Sequence, residues 1–317
     1  MRKSTAMLSR NQIIVLGSVA ACFILVAVTL PNFLTVANLM QVARQASIGA
    51  IMAIGVTFVV MSGRLDLSVG SLLSLCAVIT VSIQNDFGPG LSIPVALLIG
   101  IVAGAVNGYL VAVLRLNSLI VTLGMLSVLQ GLALISTEGR NVPVVDQETW
   151  FALLGRGYLG GVPVPVLVVL CLGVVFTLLL KRTTFGRQLT AVGGNEVASA
   201  FSAIDTTRIV FVAYVISGLL ASVAALVFVS RVMSARNDSG VGYELAVLAG
   251  VILGGTSILG GSGGIWRSIA GILTLAALQN IMLIMGLPYY AQWLMTWVVI
   301  IAAVWVDLAS RRRALFV

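Results

Sequence analysis

The sequence predicts an all-α fold: a polytopic helical membrane protein with about ten transmembrane helices and both termini cytoplasmic. Three observations lead there. Of the 317 residues, 60% are hydrophobic and only 9% charged, against about 25% charged in a soluble domain. Such a chain lacks the polar groups to cover a water-facing surface, and its mean hydropathy is +1.13. Apolar runs close to the ~17–25 residues that cross a bilayer recur along its whole length. They are continuous and do not alternate with polar residues, which excludes an outer-membrane barrel.

The runs fall near 13–30, 46–62, 67–83, 93–114 and 118–135, then 162–180, 209–230, 243–260, 266–286 and 290–308. At ~20 residues each they use about 200 residues. Short loops remain, with no space for a soluble catalytic domain, so 1–317 reads as one transmembrane domain. The first run follows Met1-Arg2-Lys3, as a signal peptide would. Its length exceeds the ~7–15 residues of a signal h-region and no clear cleavage site follows, so it counts as a span.

Charge orients the chain. The net +8 is not a nucleic-acid footprint, because threading ten spans sorts the 18 basic residues by side. Thirteen, among them Arg64, Arg115, Lys181, Arg187 and Arg208, fall inside. Five fall outside: Arg44, Arg140, Arg156, Arg231 and Arg236. That split follows the positive-inside rule. Cys22, Cys76 and Cys171 all lie in apolar runs, with neither disulfide nor metal spacing. Histidine is absent, which removes the commonest general base and metal ligand.

Residues 181–208 then form the largest cytoplasmic loop, with 183–205 as its polar insert. Gly193-Gly194 breaks the chain, Asn195 is a good N-cap, and Glu196 suits the positive end of a helix dipole. Ala198, Ala200, Phe201 and Ile204 can share one side of the short helix that follows. On spacing alone, a surface helix against the bundle or headgroups explains this stripe.

"TTFGRQLTAVGGNEVASAFSAI" resembles the cytoplasmic loop of bacterial ABC-importer permeases of the ribose/monosaccharide type. "GRLDLSVGS" at 63–71, "LNSLIVTLGMLSVLQGLAL" at 116–134 and "GVGYELAVLAGVILGGTSILGGSGGIW" at 240–266 resemble the same family, in order. The resemblance runs from about residue 33 to the C-terminus. It implies that the loop carries a coupling helix seated in a groove of a cytoplasmic ATPase. Phe185, Gly186, Arg187, Gly193, Gly194, Asn195, Glu196 and Phe201 become the residues expected to make that contact. The family usually has Gly where Ala203 stands and Pro where Ser118 stands. No GxxxxGK[ST] phosphate loop occurs in the sequence, so this chain is not expected to be an enzyme. ATP and Mg²⁺ would be used by the partner subunit, and no cofactor is expected on the chain itself.

The segment 63–71 admits two readings. In one it is a tight cytoplasmic turn, with Asp66 capping the next helix and paired with Arg64. In the other it is a helix broken at membrane depth, whose free N–H groups, Ser68 and Ser71 meet a polar substrate. Asn107, Asn117, Thr122, Gln130, Gln279 and Asn280 are the polar residues inside spans. They serve either as interhelical bonds or as partners for sugar hydroxyls. "GGTSILGGSGG" at 254–264 permits close helix approach or a hinge before Trp266. In the periplasmic loop 137–161, Asp146 can cap a short helix that puts Trp150, Phe151 and Leu154 at the interface. With Arg140, Arg231 and Arg236, Trp150 also suits a platform for a binding protein.

The sequence therefore reads as an inner-membrane permease, half of a dimeric pathway in an ABC sugar importer working by alternating access. Its expected partners are a second permease copy or paralogue, the ATPase, and a periplasmic or lipid-anchored sugar-binding protein; nucleic acid is not among them. The alternative is an ion-gradient-coupled carrier of small polar solutes, for which only Asp66 offers an intramembrane carboxylate. A membrane enzyme lacks support, since no nucleophile–base pair or metal cluster is seen.

Overall fold

The structure, a computed structural model, describes residues 33–288 together with 290, 291, 294, 297, 298 and 301. The run at 13–30 and most of that at 290–308 lie outside the described residues. Contacts divide the chain into two compact units, Met1–Val42 with Thr274–Val317, and Ala43–Leu273. In the first, Phe33 and Ile281 form a small core with Ala277 and Ile284. There the Asn38 and Asn280 amides bond to each other at 2.9 and 3.1 Å.

The helices, in order, are α1 (Val36–Met61), α2 (Val69–Phe87) and α3 (Pro89–Gly108), the last extended by a π-turn at Tyr109–Val113. Then come α4 (Ser118–Thr137), α5 (Ala152–Arg156), α6 (Val164–Arg182), α7 (Thr184–Gly194) and α8 (Glu196–Phe201). The last three are α9 (Thr206–Val232), α10 (Tyr243–Leu253) and α11 (Ile265–Ile284). Side chains set several of their starts. Asn117 Oδ1 accepts from Leu119 N at 2.9 Å, Asn195 Oδ1 from Ala198 N at 2.9 Å, and Asp205 Oδ1 from Arg208 N at 2.9 Å. Each satisfies a backbone donor that has no partner within its helix.

Among the described residues, seven helices are long and apolar enough to cross a membrane. The run at 243–260 differs from expectation. Its helix α10 has 11 residues, about 16 Å, roughly half of a ~30 Å hydrocarbon core. Gly254 and Gly255 end it, and Gly255 takes φ +82°, a left-handed turn that glycine adopts without a Cβ clash. Small strands interrupt the all-α scheme. β1 (Val142–Pro143) pairs antiparallel with β4 (Ser234–Ala235), and β2 (Tyr158–Leu159) with β3 (Val162–Pro163).

Helix α9 is the spine of the larger unit, and α3 lies against it through glycine. Gly100, Gly104 and Gly108 recur every four residues on one face. A Cβ on Gly100 would stand 2.5 Å from Gly218 O, and one on Gly104 2.5 Å from Tyr214 O. The backbones touch with nothing between them. In lipid, where apolar burial between helices supplies little, this close approach is what holds helices together. On α1, a Cβ at Gly55 would meet Ser217 Cα at 2.9 Å, so a third helix closes on the same stretch of α9.

The loop at 137–161 differs from expectation in two respects. Asp146 accepts from Glu148 N at 3.1 Å, a local turn, while the helix starts later, at Ala152. Phe151 is fully buried and does not lie at an interface; its carbonyl accepts the Ser230 hydroxyl of α9. Trp150 is exposed.

Candidate functional site

Between α1 and α2 the chain leaves helical geometry at 62–68 and re-enters the helix bundle. Leu65, Asp66 and Ser68 hold it there against two helices. Tyr214 Oη donates to Leu65 O at 2.8 Å and Ser217 Oγ donates to Asp66 Oδ2 at 2.9 Å, both from α9. Asn107 Nδ2, on α3, donates to Ser68 Oγ at 2.8 Å. Ser68 in turn donates its N–H and its hydroxyl to Asp66 Oδ1, at 3.1 and 2.7 Å. Ser217 lies eleven residues beyond Thr206, about 16 Å up α9. The break therefore sits well inside the bundle. Irregular backbone at such depth persists only where protein groups satisfy it, and these hydroxyls and the amide do so.

Asp66 is thus more than a helix cap. Its carboxylate is 2% exposed and, among the described residues, no Lys or Arg pairs with it. Arg64 turns the other way: its Nη2 lies 2.7 Å from Glu196 Oε2. The Arg64–Asp66 pairing considered from sequence does not form. Asn107 Oδ1 is buried without a hydrogen-bond partner.

The insert sits directly on this break. A Cβ on Gly193 would stand 1.8 Å from Met61 O and 2.5 Å from Gly261 N. Gly261 N itself donates to Met61 O at 2.9 Å. Three backbones, the end of α1, the end of α7 and the 260–261 turn, converge with no side chain between them. Phe185 stacks on Phe58 of α1 with ring centroids 6.1 Å apart, and Gly186 packs against Leu180 O, which a Cβ would meet at 1.9 Å. These two coupling candidates anchor α7 inward. Arg187, Asn195, Val197 and Phe201 point outward, and Phe201 is 90% exposed. A cleft of ≈ 880 Å³ lies beside the ion pair, bounded by Arg64, Arg115, Asn117, Val197, Phe201 and Thr207.

The other sequence candidates scatter. Ser71 bonds to Ser68 O at 3.0 Å and stays in the buried group. Thr122 bonds only within its own helix, to Ser118 O at 2.9 Å, and Asn117 is the α4 cap. Gln130 Nε2 holds Asn237 O at 2.6 Å. Asn280 belongs to the other compact unit. Of the residues expected to dock a binding protein, Arg140 is an exposed neighbour of Glu138 at 3.7 Å, and Arg236 pairs with Asp238 at 3.1 Å. Arg231 is only half-exposed, and its carbonyl accepts from Arg156 Nε at 2.9 Å.

Residues 38–304 match the family described as branched-chain amino acid transport system / permease component. The chain belongs to this permease family. It is 37% identical over 296 residues to the ribose import permease protein RbsC of Haemophilus influenzae, covering 92% of each chain. To RbsC of Escherichia coli K12 it is 39% identical over 299 residues, again 92% of each chain. To the L-arabinose transport system permease protein AraH of E. coli K12 it is 38% identical over 297 residues, 91% of this chain and 88% of that one. No solved structure matches the chain. In this permease, sequence reasoning missed Ser217 and Tyr214, the partners of the break. A serine inside an apolar run carries no sign of what it bonds; the four-residue spacing of Gly100, Gly104 and Gly108, also passed over in the sequence, marks the α3–α9 contact.

Proposed function

We propose that the chain is the membrane subunit of an ATP-driven importer, passing a monosaccharide or related polyhydroxylated solute across the bacterial inner membrane. The identity of 37–39% with ribose and L-arabinose permeases, over 91–92% of the chain, carries this reading. The termini are cytoplasmic, about ten spans cross the bilayer, and a cytoplasmic ATPase holds the ATP and Mg²⁺. It engages the outward face of the insert, where Arg187, Asn195, Val197 and Phe201 are exposed. A binding protein delivers the solute at the opposite side, near Arg140, Trp150 and Arg236.

A second permease subunit completes the pathway. Only 17% of the α4 window is buried within one chain, against 67% for α9. Gly124 and Gly131 of α4 meet nothing within 4 Å, and small residues of this kind suit close packing by another helix. Asp66, Ser68, Ser71 and Asn107 shape this pathway by fixing the break, since they bond to one another or to neighbouring helices.

Reconstitution into proteoliposomes with the ATPase and binding protein of the same gene neighbourhood tests the reading. Labelled ribose or arabinose should enter only with ATP, and leucine should not. Leucine uptake without sugar uptake would overturn the substrate class. Uptake that ignores ATP and follows a proton or sodium gradient would favour the ion-coupled carrier, with Asp66 as its buried carboxylate.

A further inference from the structure

The Arg64–Glu196 pair joins two segments that are each fixed elsewhere. Glu196 opens α8, whose outer face is exposed, and Gly193 just before it lies on the end of α1. Arg64 stands two residues before Asp66, which is bonded to Ser217 in the interior of α9. The pair is 33% and 45% exposed, and ion pairs in such surroundings contribute little to stability. Arg115 lines the same cleft yet, among the described residues, pairs with no carboxylate. Of the two arginines lining that cleft, Glu196 pairs with Arg64, the one at the break.

We infer that Arg64 is a positioning residue for coupling: with Glu196 it forms a strut that carries displacement of the insert to the 63–68 segment inside the bundle. The inference rests on the reading that the insert docks the ATPase. Pushing α8 toward the membrane loads Arg64, and through Asp66 the load reaches α9 at Ser217. Side-chain contact at Gly193 would hold the insert away from α1. The glycine instead keeps the insert and the break in backbone contact, so the strut spans only two side chains.

The test uses the assembled importer in proteoliposomes, with Arg64→Glu, Glu196→Arg, the double swap, and Arg115→Glu as a charge control. Uptake per ATP hydrolysed is read alongside ATPase co-purification. Each single reversal should lower uptake per ATP about tenfold, and the swap should recover most of it, as coupled charge pairs do. The Arg115→Glu protein should transport as wild type does. Normal coupling in both singles, or a swap no better than either, overturns the strut. An equal loss in Arg115→Glu also overturns it, since general charge in the cleft would then suffice. Loss of the ATPase in Glu196→Arg but not in Arg64→Glu would place Glu196 on the ATPase, overturning the strut while leaving insert docking intact. A wild-type complex that never retains an ATPase would remove the docking reading itself.

Discussion

Ser217 Oγ donates to Asp66 Oδ2 at 2.9 Å, across 151 residues of sequence, and fixes an extended segment to the interior of a 27-residue helix. One serine and one carboxylate thereby tie the segment just before α2 to the interior of α9. With Ser68 and Asn107 they form a buried polar group in which Asp66 accepts from Ser68 and Ser217 while Asn107 donates to Ser68 Oγ.

Removing that acceptor should cost stability before it costs transport. Asp66→Ala strands the Ser68 N–H and two hydroxyls, and a buried donor left unpaired costs about 1–3 kcal/mol. The variant should melt well below wild type in detergent and accumulate poorly. Asp66→Asn keeps an accepting oxygen and should lose about 1 kcal/mol. Wild-type melting of Asp66→Ala would mean that the group does not hold the break.

The glycine face of α3 should tolerate no side chain. Gly104→Val places a branched group where even a Cβ stands 2.5 Å from Tyr214 O. Overpacking of this kind costs about 1–3 kcal/mol. Gly124→Ala on α4, which meets nothing within 4 Å in the chain, should leave the melting temperature of the separated subunit unchanged. Equal effects from the two would contradict the α3–α9 packing.

Ala203 takes φ +59° in the turn between α8 and α9, where the resembling family usually has Gly. A left-handed alanine is strained by about 1–2 kcal/mol, part of which glycine gives back as freedom in the unfolded chain. Ala203→Gly should therefore stabilise the protein by about 0.5–1 kcal/mol, read as a higher unfolding midpoint. A lower midpoint would show that the turn is not strained.

Phe201 is 90% exposed, so Phe201→Ala should not alter folding of the isolated subunit. If its ring is buried in an ATPase groove, truncation removes about 2 kcal/mol or more of contact and weakens association at least tenfold. Quantitative co-purification is the measurement. Wild-type retention of the ATPase, with normal uptake, would leave α7–α8 as a helix pair lying on the headgroups.

Sidedness follows from the charge distribution. In a cysteine-free background, an impermeant thiol reagent added outside should label Cys at 140 or 150 but not at 187 or 201. Outside labelling at 187 would reverse the orientation.

Sequence alone determined what depends on neighbours along the chain. Continuous apolar runs marked the helices, because hydrocarbon demands internally bonded backbone. Asn195 announced its cap, since a cap bonds two or three residues ahead; Asn117, read as a polar residue within a span, and Asp205 showed theirs only in the structure. The basic residues predicted orientation, and the motifs carried the resemblance to sugar permeases. The tertiary structure decided what depends on distant partners. Run 243–260 looked like a span, and only the placed turn at Gly254-Gly255 showed its helix stopping after 11 residues. Phe151 read as an interfacial aromatic, yet α9 covers it. Arg64 had Asp66 two residues away and chose Glu196, 132 residues away. The reason is geometric: hydrophobicity and capping are local quantities, whereas the partner of a polar side chain depends on which backbones approach closely. Gly104 against Tyr214 and Gly193 against Met61 set those approaches here.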